Sequence, residues 1–229
     1  MAGSMTEVTV NGGVVPAYVS LPPAGSGPGV VVIQEWWGLV PHIRNVADRL
    51  AAQGFVAMAP DLYRGQQASE PDEAGKLLME MRLDQAAKDM AATVDALLAM
   101  PETTGDGVGA IGFCAGGGLA LYLASLKPEV AAVVCYYGFP RQGLQWDLSA
   151  VKGAVLGHFA EHDDWANREL ADGMERELRD AGVDVTFHHY PGTTHAFFND
   201  DRPEVYHAEA ADRSWRRTLE FLRDRLGGG

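Results

Sequence analysis

The sequence contains very little cysteine, since only Cys114 and Cys135 occur among 229 residues. This excludes the class of small extracellular domains that depend on several disulfide bridges. Cys135 lies in an apolar run that predicts a buried strand, and a cysteine in that setting behaves as a small hydrophobic residue. We therefore expect two free thiols, a reducing compartment such as the cytoplasm, and one thiol, Cys114, that is available for chemistry.

Positive charge is also scarce, with 18 lysines and arginines against 31 aspartates and glutamates, for a formal net charge of −13. Nucleic acids and anionic membranes bind clustered Lys and Arg, so neither is an expected partner. No apolar run approaches the roughly 20 residues of a membrane-spanning helix, and the polar first residues lack the apolar segment of a signal peptide. Residues 1–5 and 227–229 are predicted to be disordered or of cloning origin, with Met5 as an alternative natural start.

The chain does contain a regular alternation of apolar strand patterns with amphipathic helix patterns. A hairpin is predicted over residues 8–21, one long helical stretch over 71–100 and a closing helix over 203–226. Strands that alternate with helices favour an α/β fold with a mostly parallel central sheet and helices on both faces. No linker or repeat interrupts the pattern, so residues 1–229 are predicted to form a single domain.

The most informative motif is Gly112-Phe113-Cys114-Ala115-Gly116, which follows an apolar run and opens a helical pattern. A strand, a tight turn flanked by glycine and a helix are typical of a nucleophile elbow. The strained turn needs glycines because little beyond hydrogen fits against its backbone. The motif predicts that Cys114 is a nucleophile at a helix N-terminus, where a thiol ionises more readily than a free one.

Catalytic partners are expected beyond the carboxyl ends of later strands, where α/β folds place their sites. One apolar strand pattern runs into Glu161, Asp163 and Asp164, and the next runs into a loop that contains His195. This supplies the chain order nucleophile, acid, histidine that is typical of α/β-hydrolase triads. Among the three acids we favour Asp163, while its two neighbours stay open as alternatives.

A metal site is the competing interpretation of this region, because His158, His162, Asp163 and Asp164 are close in sequence. However, no pair among them has a recognised zinc or calcium ligand spacing. We therefore expect neither a metal nor a cofactor.

Taken together, these motifs resemble the dienelactone hydrolase (carboxymethylenebutenolidase) family of α/β-hydrolases. The matching segments are residues 31–38, 59–63, 112–117 and 190–197. The resemblance implies an α/β-hydrolase fold and a catalytic triad of Cys114, Asp163 and His195.

The resemblance also implies a role for Glu35, which follows an apolar strand pattern. It matches a glutamate that the family places beside the resting thiol, where Glu35 would hold Cys114 as a thiol or accept its proton. A carboxylate that ends a buried strand is costly unless it is hydrogen-bonded or functional. The backbone N–H groups of Trp36 and Ala115 are the implied oxyanion hole.

Substrate contacts are less well defined by the sequence. The candidates are Trp37, Phe113, Tyr137, Phe197 and Arg202. The resemblance implies that dienelactone-specific members grip a substrate carboxylate with arginines, one of them four positions after the catalytic histidine, but here that position is Asn199. Other arginines that are candidates for this contact are Arg64, Arg82 and Arg141, together with Arg202.

The leading hypothesis is a cofactor-free hydrolase of small carboxylic esters or lactones that acts through a thioester on Cys114. A second hypothesis is a thiol redox sensor or a binding module on a hydrolase scaffold, and a third is a related thioesterase. The protein is expected to be a monomer or a small homo-oligomer, and its natural substrate is not encoded in any of these motifs.

Overall fold

The computed structural model describes residues 2–140 and 146–227. Its strands are β1 (Ser4–Val10), β2 (Gly13–Ser20), β3 (Gly27–Ile33), β4 (Val56–Pro60), β5 (Thr103–Phe113), β6 (Val130–Tyr136), β7 (Ala154–His162) and β8 (Val185–Thr194). Its α-helices are α1 (Pro41–Ala52), α2 (Pro71–Glu80), α3 (Leu83–Ala99), α4 (Ala115–Leu126), α5 (Arg168–Asp180) and α6 (Ala208–Leu226), and residues Leu148–Ala150 form one 3-10 turn.

All eight strands belong to one sheet, in the order β1-β2-β4-β3-β5-β6-β7-β8. The β1–β2 hairpin is antiparallel and joins β4 in antiparallel fashion, while β4, β3, β5, β6, β7 and β8 run parallel. The central strands are almost entirely buried because helices cover them, which explains their continuous apolar runs. The predicted α/β-hydrolase fold with a mostly parallel sheet is confirmed.

Helices pack on both faces of this sheet. On one face α1 and α6 are neighbours, since the guanidinium of Arg49 lies 4.5 Å from the ring centroid of Trp215. α3 and α4 contact each other on the opposite face, over β3 and β5. α4 is buried along most of its length, which fits its nearly uncharged sequence. Across the two described stretches, no helix combines the length and the apolar character that crossing a membrane requires.

Three boundaries differ from the sequence predictions. The stretch 71–100 is two helices, because Met81 and Arg82 are extended and the Arg82 side chain binds Asp84 in the first turn of α3. The closing helix begins at Ala208 rather than at residue 203. Disorder over residues 1–5 is not found at Ser4 and Met5, which pair with β2 as the first residues of β1.

Candidate active site

The turn between β5 and α4 holds Cys114 in a backbone conformation that non-glycine residues rarely adopt, with φ 53° and ψ −121°. Such a conformation costs about 1–3 kcal/mol and persists only where the surroundings impose it. Here the surroundings are glycines. A Cβ on Gly112 would lie 1.9 Å from the carbonyl oxygen of Gly116, and a Cβ on Gly116 would lie 2.4 Å from that of Gln34. The predicted strand–turn–helix elbow is confirmed.

The same turn places Cys114 immediately before α4. Ala115 is the first residue of that helix, so its N–H has no acceptor within the helix. Ile33 of β3 pairs with Gly112 of β5. Trp36 lies three residues after Ile33, and Ala115 lies three residues after Gly112. The two amides that the sequence implies as an oxyanion hole therefore belong to adjacent strand ends.

His195 follows β8 directly and contacts the acid at the end of β7. Its Nδ1 lies 2.7 Å from Oδ2 of Asp163, whose side chain is fully buried. The other carboxylate oxygen, Oδ1, accepts hydrogen bonds from the backbone N–H groups of Trp165 and Ala166 at 2.9 and 2.8 Å. Burial alone would raise the pKa of Asp163, but the hydrogen bond from His195 and these two amides hold it below its usual value.

Of the three acids considered from the sequence, only Asp163 meets the histidine. Glu161 is exposed and accepts a hydrogen bond from the Gly192 amide at 2.8 Å, and Asp164 is exposed. Asp163 is the first residue after β7, and its side chain is buried against His195. Position in the chain alone did not distinguish these three carboxylates.

Two interactions act on the imidazole in addition to its burial. Burial favours the neutral ring and lowers the pKa of His195, but the hydrogen bonds and negative charges of Asp163 and Cys114 outweigh it and raise the pKa to about 10. The imidazole is therefore protonated at neutral pH. His195 thus interacts with both Cys114 and Asp163, and its contact with Asp163 is a hydrogen bond.

Glu35 lies two residues beyond β3 and is 2% exposed. Its Oε2 accepts a hydrogen bond from the Asn199 side-chain amide at 2.7 Å, and its Oε1 accepts a longer one from the Tyr137 hydroxyl at 3.4 Å. Burial, and then the charges of Glu35 and Cys114, raise the pKa of Tyr137 well above its usual value. The Tyr137 side chain thus lies near both the carboxylate and the thiol.

Sequence reasoning noted Asn199 only as a departure from the family pattern and missed its bond to Glu35. The two residues are 164 positions apart, and no local pattern links them. A polar residue four positions after a candidate catalytic histidine was the only available signal.

The second cysteine takes no part in this arrangement. Cys135 is fully buried, and its thiol donates to the carbonyl oxygen of Gly138 at 3.2 Å. Burial raises its pKa to about 12, so it remains protonated. The predictions of two free thiols and of a buried Cys135 are confirmed.

The predicted substrate contacts divide into buried and partly exposed residues. Phe113 and Phe197 are completely buried core residues, and Phe113 stacks on the Tyr136 ring with centroids 4.7 Å apart. Tyr137 is also buried, but its ring centroid lies 5.1 Å from that of His195. Trp37 and Arg202 are partly exposed and lie together, with the guanidinium 5.5 Å from the indole centroid.

The three candidate arginines among the described residues each pair with an acidic side chain. Arg64 binds the buried carboxylate of Asp89 at 2.8 Å, and Arg82 pairs with Asp84 on the surface. Arg202 pairs with Glu204, and Arg141 lies outside the described residues.

The residues of the alternative metal interpretation do not converge. His158 is buried between the Tyr190 hydroxyl and the Thr218 hydroxyl, at 2.9 and 3.0 Å, while His162 is exposed. Over residues 2–140 and 146–227, no group of three or more His, Cys, Asp or Glu side chains is arranged to hold a metal ion.

Comparison with known proteins decides the family. Residues 15–226 match the model of the Dienelactone hydrolase family. The chain belongs to the dienelactone hydrolase family. It is a hydrolase that acts on carboxylic ester bonds, and its predicted family is confirmed.

Relatives of similar length match nearly the whole chain. "Protein usf" of Aquifex pyrophilus is 39% identical, with 98% of this chain and 99% of the relative covered. The Aquifex aeolicus (strain VF5) protein named "Putative carboxymethylenebutenolidase" is 38% identical over the same shares. Among solved structures, a dienelactone hydrolase-like promiscuous phosphotriesterase from metagenomic libraries superimposes with a TM-score of 0.87 at 27% identity, covering 98% of both chains.

Proposed function

We propose that this hydrolase cleaves small carboxylic esters or lactones with a Cys114–His195–Asp163 triad and a thioester intermediate. The observation that carries the proposal is the 2.7 Å contact between His195 Nδ1 and the buried Asp163 carboxylate, together with a cysteine held at a strained turn that also interacts with His195. A nucleophile, an imidazole and an orienting acid within hydrogen-bond reach are the signature of nucleophilic acyl transfer.

In the first half of the reaction, Sγ of Cys114 attacks the carbonyl carbon and its proton passes to Glu35. The oxygen of the tetrahedral intermediate gains negative charge, and the amides of Trp36 and Ala115 are placed to stabilise it. The C–O bond then breaks, and His195, protonated at neutral pH, gives its proton to the departing alkoxide. The products are an alcohol and a thioester.

In the second half, His195 takes a proton from a water molecule as that water attacks the thioester carbonyl. The C–S bond breaks, the carboxylic acid leaves, and the sulfur recovers its proton from Glu35. The sum is the addition of one water across the ester bond. Glu35 suits this second proton site because it is buried, hydrogen-bonded and close to the Tyr137 hydroxyl.

Two relatives' names indicate lactone and phosphotriester chemistry. For this chain we propose a broad range of esters and lactones rather than one dienelactone, since Asn199 is engaged with Glu35 and offers no charge to a substrate carboxylate. We further propose a single cytoplasmic domain over residues 1–229, as a monomer or small homo-oligomer.

The test is hydrolysis of p-nitrophenyl acetate and of a dienelactone by the wild type, Cys114→Ala and, as a matched control, Cys135→Ala. We expect Cys114→Ala to abolish turnover and Cys135→Ala to retain it. Activity that survives in Cys114→Ala would exclude the mechanism.

A further inference from the structure

The loop after Asp163 carries a tryptophan, Trp165, whose side chain lies outside the hydrophobic core. Trp165 is 75% exposed, although burial of a tryptophan would stabilise the protein strongly. Single exposed apolar residues are common and need no explanation. Trp165 differs from such isolated residues because its ring neighbours that of Trp36, which in turn contacts Trp37.

These three rings form one surface, which we name the tryptophan shelf (Trp36, Trp37 and Trp165). The Trp36 and Trp165 centroids are 6.5 Å apart with the rings tilted by 56°, and Trp36 meets Trp37 edge-on at 5.1 Å. Arg202 covers Trp37 from one side. The open aromatic face of the shelf is therefore that of Trp165.

The shelf is attached to the reacting groups at both ends. The Trp165 N–H donates to Oδ1 of Asp163, whose other oxygen binds His195. At the other end, Trp36 is one residue beyond Glu35, and the carbonyls just before it pack against Gly116 of the elbow. The shelf is therefore connected to Asp163 at one end and to the elbow at the other.

The backbone that carries Trp165 is fixed before any ligand arrives. Ala166 is buried and its N–H also binds Asp163, and Asn167 caps α5 by accepting from the Leu170 N–H at 3.0 Å. A side chain on a fixed backbone loses less conformational freedom when a ligand packs on it than one on a mobile loop. An exposed aromatic side chain on such a backbone is suited to binding rather than to folding.

We propose that the tryptophan shelf is a substrate subsite for aromatic groups, with Trp165 as its specificity-determining residue. This inference rests on the proposed function and adds the substrate class to it. A planar ring offers offset or edge-to-face contacts with an indole, which a saturated ring of similar size makes less well.

The test compares Trp165→Ala, Trp165→Phe and the wild type on two matched ester pairs. One pair is phenyl acetate and cyclohexyl acetate, and the other is methyl phenylacetate and methyl cyclohexylacetate. Hydrolysis of each ester is measured by the release of acid. Met79→Ala is the control, because Met79 is equally exposed, at 76%, on the distant helix α2. Each variant is compared with the wild type on the same ester.

We expect Trp165→Ala to lower kcat/KM roughly 2- to 10-fold for the aromatic member of at least one pair, mainly through KM. The saturated member should change less, Trp165→Phe should keep most of the preference, and Met79→Ala should resemble the wild type. Equal losses for saturated and aromatic esters, or no loss in either pair, would overturn the inference.

A binding measurement that requires no reaction separates failure of the proposed function from failure of this inference. Methyl phenylacetate is titrated by calorimetry into Cys114→Ala and into the double variant Cys114→Ala/Trp165→Ala. Weaker binding to the double variant supports the shelf even if the wild type hydrolyses no ester. Equal binding refutes it even if the triad mechanism is correct.

Discussion

Replacing Asp163 by Asn probes the hydrogen bond between His195 and its buried acid. The pKa of His195 is about 10, against 6.5 for an ordinary imidazole, which corresponds to about 5 kcal/mol in favour of the protonated ring. Asp163 and Cys114 share this effect, so Asp163→Asn removes part of it. The change is nearly isosteric, and the Trp165 and Ala166 amides should still bind the remaining side-chain oxygen.

The orientation of the new side-chain amide should lower catalytic activity further. With its oxygen held by those two N–H groups, the Asn NH₂ group faces Nδ1 of His195, where the native carboxylate accepts a hydrogen bond. Nδ1 must then act as an acceptor, which favours the wrong tautomer. We expect kcat/KM to fall roughly 10²- to 10⁴-fold, the upper limit being the loss known when an Asp-to-Asn change leaves a triad in place.

The assay is kcat/KM for an activated ester as a function of pH, together with the rate of Cys114 alkylation by iodoacetamide. The wild type should keep its protonated imidazole up to about pH 10, whereas in Asp163→Asn the corresponding change should occur at lower pH. Asp164→Asn is the matched control, since it removes the same charge from an exposed neighbour. Equal losses in both variants, or near-native activity and an unmoved pH profile in Asp163→Asn, would refute the reasoning.

Three further predictions concern stability. Asn199→Leu should lower the free energy of unfolding by about 1–3 kcal/mol, because the buried Glu35 carboxylate loses its 2.7 Å donor; urea denaturation measures this, and an unchanged midpoint would contradict it. Gly116→Ala should prevent folding or cost more than about 3 kcal/mol, since its Cβ meets backbone oxygens, whereas Gly75→Ala, in open space within α2, should stabilise by about 0.5–1 kcal/mol. His195 has a raised folded-state pKa, so its contribution to the free energy of unfolding should be complete below about pH 6.5 and lost as the pH rises through about 10. Urea denaturation at several pH values should show this loss of stability in the wild type, and the loss should be absent from His195→Gln.

The location of the three candidate catalytic residues was predictable from sequence because each follows a strand of a parallel sheet. Such strands end at the same edge, so Cys114, Asp163 and His195 could be expected to meet there, and Gly112 and Gly116 identified the elbow. The choice among three neighbouring acids was a preference at that stage. Only the tertiary structure shows which carboxylate turns inward.

Features that depend on contacts between distant segments were not predictable. The bond from Asn199 to Glu35 joins two loops and leaves no local pattern. Phe113 was expected in the substrate pocket because it lies near a predicted site loop, yet it is completely buried and stacks on Tyr136. The break at Met81 has neither glycine nor proline to mark it, so the helical pattern continued through it.

The central claim is a covalent acyl group on Cys114, and trapping it is the most direct test. The enzyme is mixed with an excess of p-nitrophenyl acetate, quenched in acid within the first turnovers, digested and examined by mass spectrometry. The account predicts one acetyl group on the peptide that contains Cys114, labile to hydroxylamine and absent from Cys114→Ala. Wild-type turnover without this adduct, or an acetyl group on another residue whose replacement abolishes activity, would contradict it.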